Sequence, residues 1–195
     1  MSAPTEPIGV VLAGGLGRRI GGSKATVELC GRPLIWYPLK ALQRALQDVA
    51  VIAKPDTELP GLPGVTVWIE PQTPRHPLVG IVQALALAAN RPVLICAGDL
   101  PFLTAKLIGQ LARCDPGGAT AVIAAWGGEI QPLLGCYQPR SLELLRDAAT
   151  RAAMPVREAV EGIGPRVFEV DDPEVLFEVN APDDLLQAAA MLSRF

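Results

Sequence analysis

With 195 residues the chain is long enough for one domain with a buried core and short for two. Half of the residues are apolar and 19% are charged, a balance that excludes a disordered chain. A net charge of −3 excludes a global basic field for nucleic acid, and no apolar run approaches the roughly 18 residues of a membrane span.

Ile8 to Ala13 is a β-branched apolar run ending at Gly14-Gly15 and reads as a buried strand that runs into a loop. Gly14 to Ser23, with five glycines, reads as irregular structure. Leu34, Leu39, Leu42 and Leu46 form a helical stripe behind Pro33. Val49–Ala53 is a second strand, Lys54–Gly64 a proline-rich loop and Val65–Ile69 a third strand. Pro77 opens a helix to about Asn90, which suits a left-handed cap. Val93–Ala97 is a fourth buried strand, closed by Gly98-Asp99-Leu100-Pro101. Thr104 caps a helix over Ala105–Arg113. Thr120–Ala125 and Leu133–Tyr137 read as strands, Ser141–Ala153 as a helix, and Val167–Val170 and Val175–Val179 as strands. Pro182 starts a last helix to Leu192, with acidic residues in its first turn.

Strands that alternate with helices imply an α/β protein: a mostly parallel sheet with helices on both faces, in one domain spanning 1–195. Ligands of such sheets bind outside the carboxyl ends of the strands. That rule places Gly14–Lys24, Gly98–Pro101 and Asn180–Asp183 on one rim. The first segment carries glycines that let backbone N–H groups approach an anion. Between Gly14 and Lys40 there are five cations, Arg18, Arg19, Lys24, Arg32 and Lys40, against Glu28 alone. Such a stretch suits a small anion, or is a solvated basic surface. It fails the P-loop pattern, because Ser23 precedes Lys24, and the dinucleotide pattern, because Ile20 stands where a glycine is needed. Asp99 could hold Mg²⁺ together with substrate phosphates, or bond its own turn. Asn180 could offer its amide oxygen to a metal or ligand, or cap the last helix.

The cysteines at 30, 96, 114 and 136 have no CxxC spacing, which removes zinc and thioredoxin-type sites. Cys96 and Cys136 read as buried small hydrophobes, and the absence of a disulfide framework fits a reducing compartment. Met1–Pro7 lacks the charge and apolar core of a signal peptide, so a cytoplasmic location is expected. The only histidine, His76, reads as a loop residue without a role.

Taken together, Leu12-Ala13-Gly14-Gly15 with Arg19-Ile20-Gly21-Gly22-Ser23-Lys24, His76-Pro77-Leu78-Val79-Gly80-Ile81, Asp99-Leu100-Pro101 and Glu178-Val179-Asn180-Ala181-Pro182-Asp183-Asp184-Leu185 resemble the molybdenum-cofactor guanylyltransferases. These are the MobA-like branch of the nucleotidyltransferases, with a signature similar to L-A-G-G-x-x-x-R-M-G-x-D-K. The resemblance covers nearly the whole chain. It implies a three-layer, Rossmann-like nucleotidyltransferase fold and a Mg²⁺-dependent transfer of GMP from GTP to the terminal phosphate of molybdopterin, with release of pyrophosphate. By the same resemblance Leu12, Ala13 and Gly14 contact the nucleotide. Gly15, Arg19 and Lys24 hold the triphosphate, Asp99 binds Mg²⁺ and Asn180 completes the site, with Arg19, Lys24 and Asp99 as the catalytic set. Transient contact with cofactor-insertion and acceptor proteins is implied too.

The chain departs from that pattern at Ser23, where an aspartate is usual, at His76, where a glycine is usual, and at Glu178, where an asparagine often stands. Glu178 could be an added metal ligand or a surface charge. Glu70 could read guanine from one position earlier than the family's acidic residue, or be an ordinary loop carboxylate. Cytidylyl transfer to molybdopterin, nucleotidyl transfer to another phosphorylated acceptor, and a catalytically silent nucleotide-binding module stay open as alternatives.

Overall fold

A computed structural model describes residues 6–14, 16–17, 22–151 and 154–194. Its centre is a seven-stranded sheet formed by β1 (Ile8–Leu12), β2 (Val49–Ala53), β3 (Thr66–Ile69), β4 (Val93–Ala97), β5 (Ala121–Trp126), β6 (Glu129–Tyr137) and β7 (Arg166–Glu169). The spatial order is β7-β5-β6-β4-β1-β2-β3. Six strands run one way, and β6 alone runs antiparallel to both of its neighbours.

β4 is buried at all five positions because both sheet faces are covered. Strand alternation divides its side chains. Leu94 and Cys96 pack with Val11, Val51, Leu39, Leu42, Ile108 and Leu111, beneath α1 (Trp36–Ala45) and α3 (Ala105–Arg113). Val93 and Ile95 face the other way, into a second core with Val10, Ile52, Leu78, Ile81, Leu145 and Val160. That core lies beneath α2 (Pro77–Leu87), α4 (Ser141–Thr150) and α5 (Val156–Gly162). The expected α/β sheet with helices on both faces is therefore present. A third, smaller cluster joins Leu29, Leu34, Val179 and Ala188 under α6 (Pro182–Leu192).

Several expectations are corrected. Val175–Val179 is not a strand. Asp172 accepts a hydrogen bond from the Glu174 N–H, and Pro173, which has no N–H to give a ladder, opens a 3₁₀ turn over Pro173–Leu176. Val175 and Val179 are buried because they plug apolar clusters, not because they pair. The glycine-rich loop is not wholly irregular either: Leu16–Gly17 pairs antiparallel with Gly22–Ser23, and Gly17 meets Gly22 with no side chain between them.

The helix expected over Ser141–Ala153 ends at Thr150, and a separate α5 follows Pro155, whose fixed φ suits a helix start. The helix from Pro77 ends at Leu87, and Asn90 takes the left-handed conformation, φ 66°, as expected. β6 begins at Glu129, four residues earlier than expected, because Gly127 and Gly128, both at positive φ, close a two-residue hairpin from β5. The β5–β6 register shifts between Ile130 and Gly135, around Pro132. Thr104 caps α3 by accepting from the Leu107 N–H. Among the described residues, no helix is long and apolar enough to cross a membrane.

Candidate functional site

The carboxyl ends of β1, β2, β3 and β4 open on one cleft of about 390 Å³. Leu12, Ala13 and Gly14 line it from the end of β1, Gly98 and Asp99 from the end of β4, and Lys24 and Asn180 from the facing loops. The three segments read from the sequence as sharing a rim thus meet at one place. Close backbone approach explains Gly98: its N–H donates to the Leu12 carbonyl at 3.1 Å, and a Cβ there would lie 3.1 Å from that same oxygen.

The Lys24 ammonium is the hub. It donates to Asp99 Oδ2 at 2.7 Å and to Asn180 Oδ1 at 2.5 Å. Lys24 is thus held by Asp99 and Asn180, far away in sequence. Asp99 Oδ1 is buried and makes no hydrogen bond to any described residue. Asn180 does not cap α6. The cap residue is Ala181, and Asp184 reaches back to accept from the N–H groups of Asn180 and Ala181, both at 2.8 Å. Asn180's side chain is therefore left for the cleft. Val179 N–H donates to the Asp99 carbonyl at 3.0 Å, which ties the two segments together.

Glu178 is neither a free surface charge nor an isolated ligand. Its Oε1 accepts from Gln131 Nε2 at 2.8 Å and its Oε2 from Asn180 Nδ2 at 3.1 Å. His76 is the N-cap residue of α2, and its Nδ1 accepts from the Leu78 N–H at 3.3 Å. Of the five cations counted in the sequence, Lys24 lines the cleft. Arg32 instead stacks over Trp36 and Lys40 bonds Gln43. Gly15, Arg18 and Arg19 lie outside the described residues.

The sequence reading missed two cations of the cleft, Lys54 and Arg75. Lys54 follows the last residue of β2, so the strand-end rule applied to β1 and β4 would have found it. Lys54 and Glu70 are buried together, with 3% and 5% of their surfaces exposed. Lys54 Nζ lies 3.6 Å from Glu70 Oε1 and donates to the carbonyls of Pro71, at 2.7 Å, and Pro74, at 3.3 Å. Glu70 Oε2 is buried without a partner among the described residues. Burial pushes the Glu70 carboxyl above its ordinary value, and the Lys54 charge only partly opposes this. Gly14 and Gly80 leave the room that Glu70 occupies: a Cβ on Gly14 would lie 2.5 Å from Oε1, and one on Gly80 3.2 Å from Oε2.

Among the described residues no three His, Cys, Asp or Glu side chains cluster as a metal cage. A cation is nonetheless well matched here. The Lys24 charge sits against two oxygens from different segments, and Asp99 retains an unpartnered buried oxygen. One carboxylate plus substrate phosphates and water is an ordinary Mg²⁺ environment.

Residues 9–163 match the model of the MobA-like NTP transferase domain. The chain is 32% identical over 193 residues to a molybdenum cofactor guanylyltransferase of Cereibacter sphaeroides, covering 95% of this chain and 97% of that protein. It is 30% identical over 202 residues to a probable molybdenum cofactor guanylyltransferase of Pyrococcus furiosus, covering 96% and 99%. The fold is shared with molybdopterin-guanine dinucleotide biosynthesis protein A of Archaeoglobus fulgidus at a TM-score of 0.80 and 22% identity, over 96% of this chain and 100% of that one. With a family match that runs from β1 through β6 and includes the cleft residues from Leu12 to Asp99, this chain belongs to the MobA-like NTP transferase family of nucleotidyltransferases.

Proposed function

We propose that this enzyme transfers GMP from GTP to the terminal phosphate of molybdopterin and releases pyrophosphate. The observation that carries this is the Lys24 ammonium poised between Asp99 and Asn180 at the strand-end rim, in the cleft that Gly14 also lines. Support for the acceptor and the base comes from relatives named as molybdenum cofactor guanylyltransferases.

The chemistry asks little proton transfer of the protein. The phosphate nucleophile is already ionised near neutral pH. One of its oxygens attacks the α-phosphorus, and the bond to the β-phosphate oxygen breaks with its electron pair leaving on pyrophosphate. No general base is required, which suits a chain whose single histidine already accepts a backbone hydrogen bond. Positioning and charge neutralisation do the work. Leu12, Ala13 and Gly14 bring backbone against the nucleotide. Lys24 has three N–H donors and turns them to the phosphate oxygens when these arrive. By the family resemblance Gly15 and Arg19, which lie outside the described residues, would add to phosphate binding. Asp99, with the Asn180 oxygen beside it, would hold Mg²⁺, which supplies positive charge against the phosphate oxygens. Handing the product to insertion and acceptor proteins belongs to the same proposal.

Glu70 favours guanine. A carboxylate with an unpartnered oxygen is complementary to two adjacent donors, and guanine offers N1–H and the 2-amino group side by side. Cytosine offers one amino group flanked by an acceptor.

The test is pyrophosphate release with molybdopterin, Mg²⁺ and each of GTP, CTP, ATP and UTP. GTP alone should turn over well, and Asp99→Asn or Lys24→Met should each lower that rate about a hundredfold. A clear preference for CTP would overturn guanylyl transfer. GTP binding without pyrophosphate release would leave a silent binding module.

A further inference from the structure

We propose that Glu178 is a positioning residue: it fixes the Asn180 amide with its oxygen turned toward Asp99, so that the oxygen stays available to a divalent cation after Lys24 moves to the phosphates. This rests on the assignment of nucleotide and Mg²⁺ to the Asp99 end of the cleft.

An asparagine amide has two faces of similar shape and opposite polarity, and its neighbours decide which way it points. Here two neighbours agree. The Lys24 ammonium only donates, so it takes Oδ1. The Glu178 carboxylate only accepts, so it takes the Nδ2 amino group, at 3.1 Å. Lys24 is the partner that a triphosphate would draw away. Glu178 is then the group left to hold the amide. Without it, the amino group could rotate toward the cation and repel it.

Glu178 is itself held. Its other oxygen accepts from Gln131 Nε2 at 2.8 Å. Gln131 precedes Pro132 in the irregular part of β6, where the buried Tyr137 hydroxyl donates to the Pro132 carbonyl at 2.5 Å. The backbone under Asn180 is pinned too, by Val179 N–H on the Asp99 carbonyl and by Asp184 on the N–H groups of Asn180 and Ala181. With the backbone fixed, amide orientation is the freedom that Glu178 removes. The antiparallel strand thus reaches the cation site through Gln131, Glu178 and Asn180. Partners of this kind behind a metal ligand commonly change metal affinity by about ten- to a hundredfold.

The experiment measures Mn²⁺ binding to the full chain by electron paramagnetic resonance, with a non-hydrolysable GTP analogue present. Glu178→Ala should weaken Mn²⁺ about tenfold or more. Glu178→Gln should stay near the parent value, because the new amide can accept from Asn180 Nδ2 and donate to a turned Gln131. Glu178→Met, which keeps the volume, reads the same loss if the alanine variant melts early. Parent-like Mn²⁺ affinity in Glu178→Ala or Glu178→Met would overturn the proposal. So would a loss in Glu178→Gln equal to that in Glu178→Ala, since charge and not orientation would then be acting. Asp99→Asn separates the two levels: undiminished Mn²⁺ binding there would overturn the metal assignment and this proposal with it. Loss there with no effect at Glu178 would overturn this proposal alone.

Discussion

Lys54 and Glu70 are two opposite charges buried together 3.6 Å apart, with the Arg75 charge also acting on Glu70. Removing one partner of a buried pair leaves an uncompensated charge, at a cost of about 3 kcal/mol or more. Lys54→Met should therefore lower unfolding stability by about that much at neutral pH. The loss should shrink in acid, because the Glu70 carboxyl, already raised by burial, then takes up a proton and no longer needs a counter-charge. Denaturant titrations at the two pH values check both the size and the sign.

On the proposed contact between Glu70 and guanine, the same raised carboxyl would give base recognition a pH dependence. Above its pKa Glu70 is ionised and accepts two donors. As pH falls through that raised value, one oxygen is protonated and an acceptor is lost. The preference for GTP over ITP, which lacks the 2-amino group, should then fall with decreasing pH from above the ordinary carboxylate range. Competition binding should find that preference narrowed and pH-independent in Glu70→Gln. Taking the ratio of two triphosphates cancels the titration of their common phosphates.

Among the elements, β6 depends most on a single small residue. Gly135 lies opposite Ile123 and Ile95, between β5 and β4. A Cβ there would meet the Val122 carbonyl at 2.7 Å and press on the Ile123 side chain. Backbone atoms of a central strand cannot step aside as a side-chain tip can. Gly135→Ala should destabilise the fold by about 2 kcal/mol, seen as a lower denaturant midpoint with an unchanged slope. Gly14→Ala is a different case, because the atom it meets is the end of the Glu70 side chain. Its effect should appear in GTP affinity more than in unfolding.

The elements also show where pattern reading works. β1, β2, β4 and α3 fall within a residue of their expected bounds, because each has a strong apolar run or a side-chain cap. Val175–Val179 misled because alternating valines satisfy the strand pattern, while the Asp172-Pro173 turn signal before them decides the backbone. The expected strand start at Leu133 misses the Gly127-Gly128 hairpin, although two glycines between apolar runs are a turn signal. The irregularity at Pro132 was not legible, since it depends on which strand pairs with which.

At the scale of the whole molecule, binding of GTP and Mg²⁺ to the native state alone should raise the melting temperature. At a hundred times the Kd the stabilisation is about 2.7 kcal/mol. For a chain of this size that corresponds to roughly 5–10 °C. A thermal scan with GTP and Mg²⁺ against Mg²⁺ alone measures it, and no shift would contradict a nucleotide site. Asp99→Asn should reduce the shift.

Local sequence suffices for the α/β class, the mostly parallel sheet, the chain order of its central elements and the family. Those follow from local apolar periodicity, from turn and cap residues, and from short motifs whose spacing survives in one dimension. Strand ends in such a sheet share a side, which put Gly14, Lys24 and Asp99 on one rim; Asn180 joins them, but it follows a 3₁₀ turn and not the expected strand. What those residues touch is set by packing in three dimensions. Lys24 meets Asp99 across 75 positions and Asn180 across 156. Glu178 reaches back 47 positions to Gln131, and Lys54 is buried against Glu70. Such pairings depend on strand order and on which backbone groups remain unsatisfied, and neither has a local signature. The one antiparallel strand, through which Gln131 enters the site, is fixed by pairing across the sheet and not by its own residues.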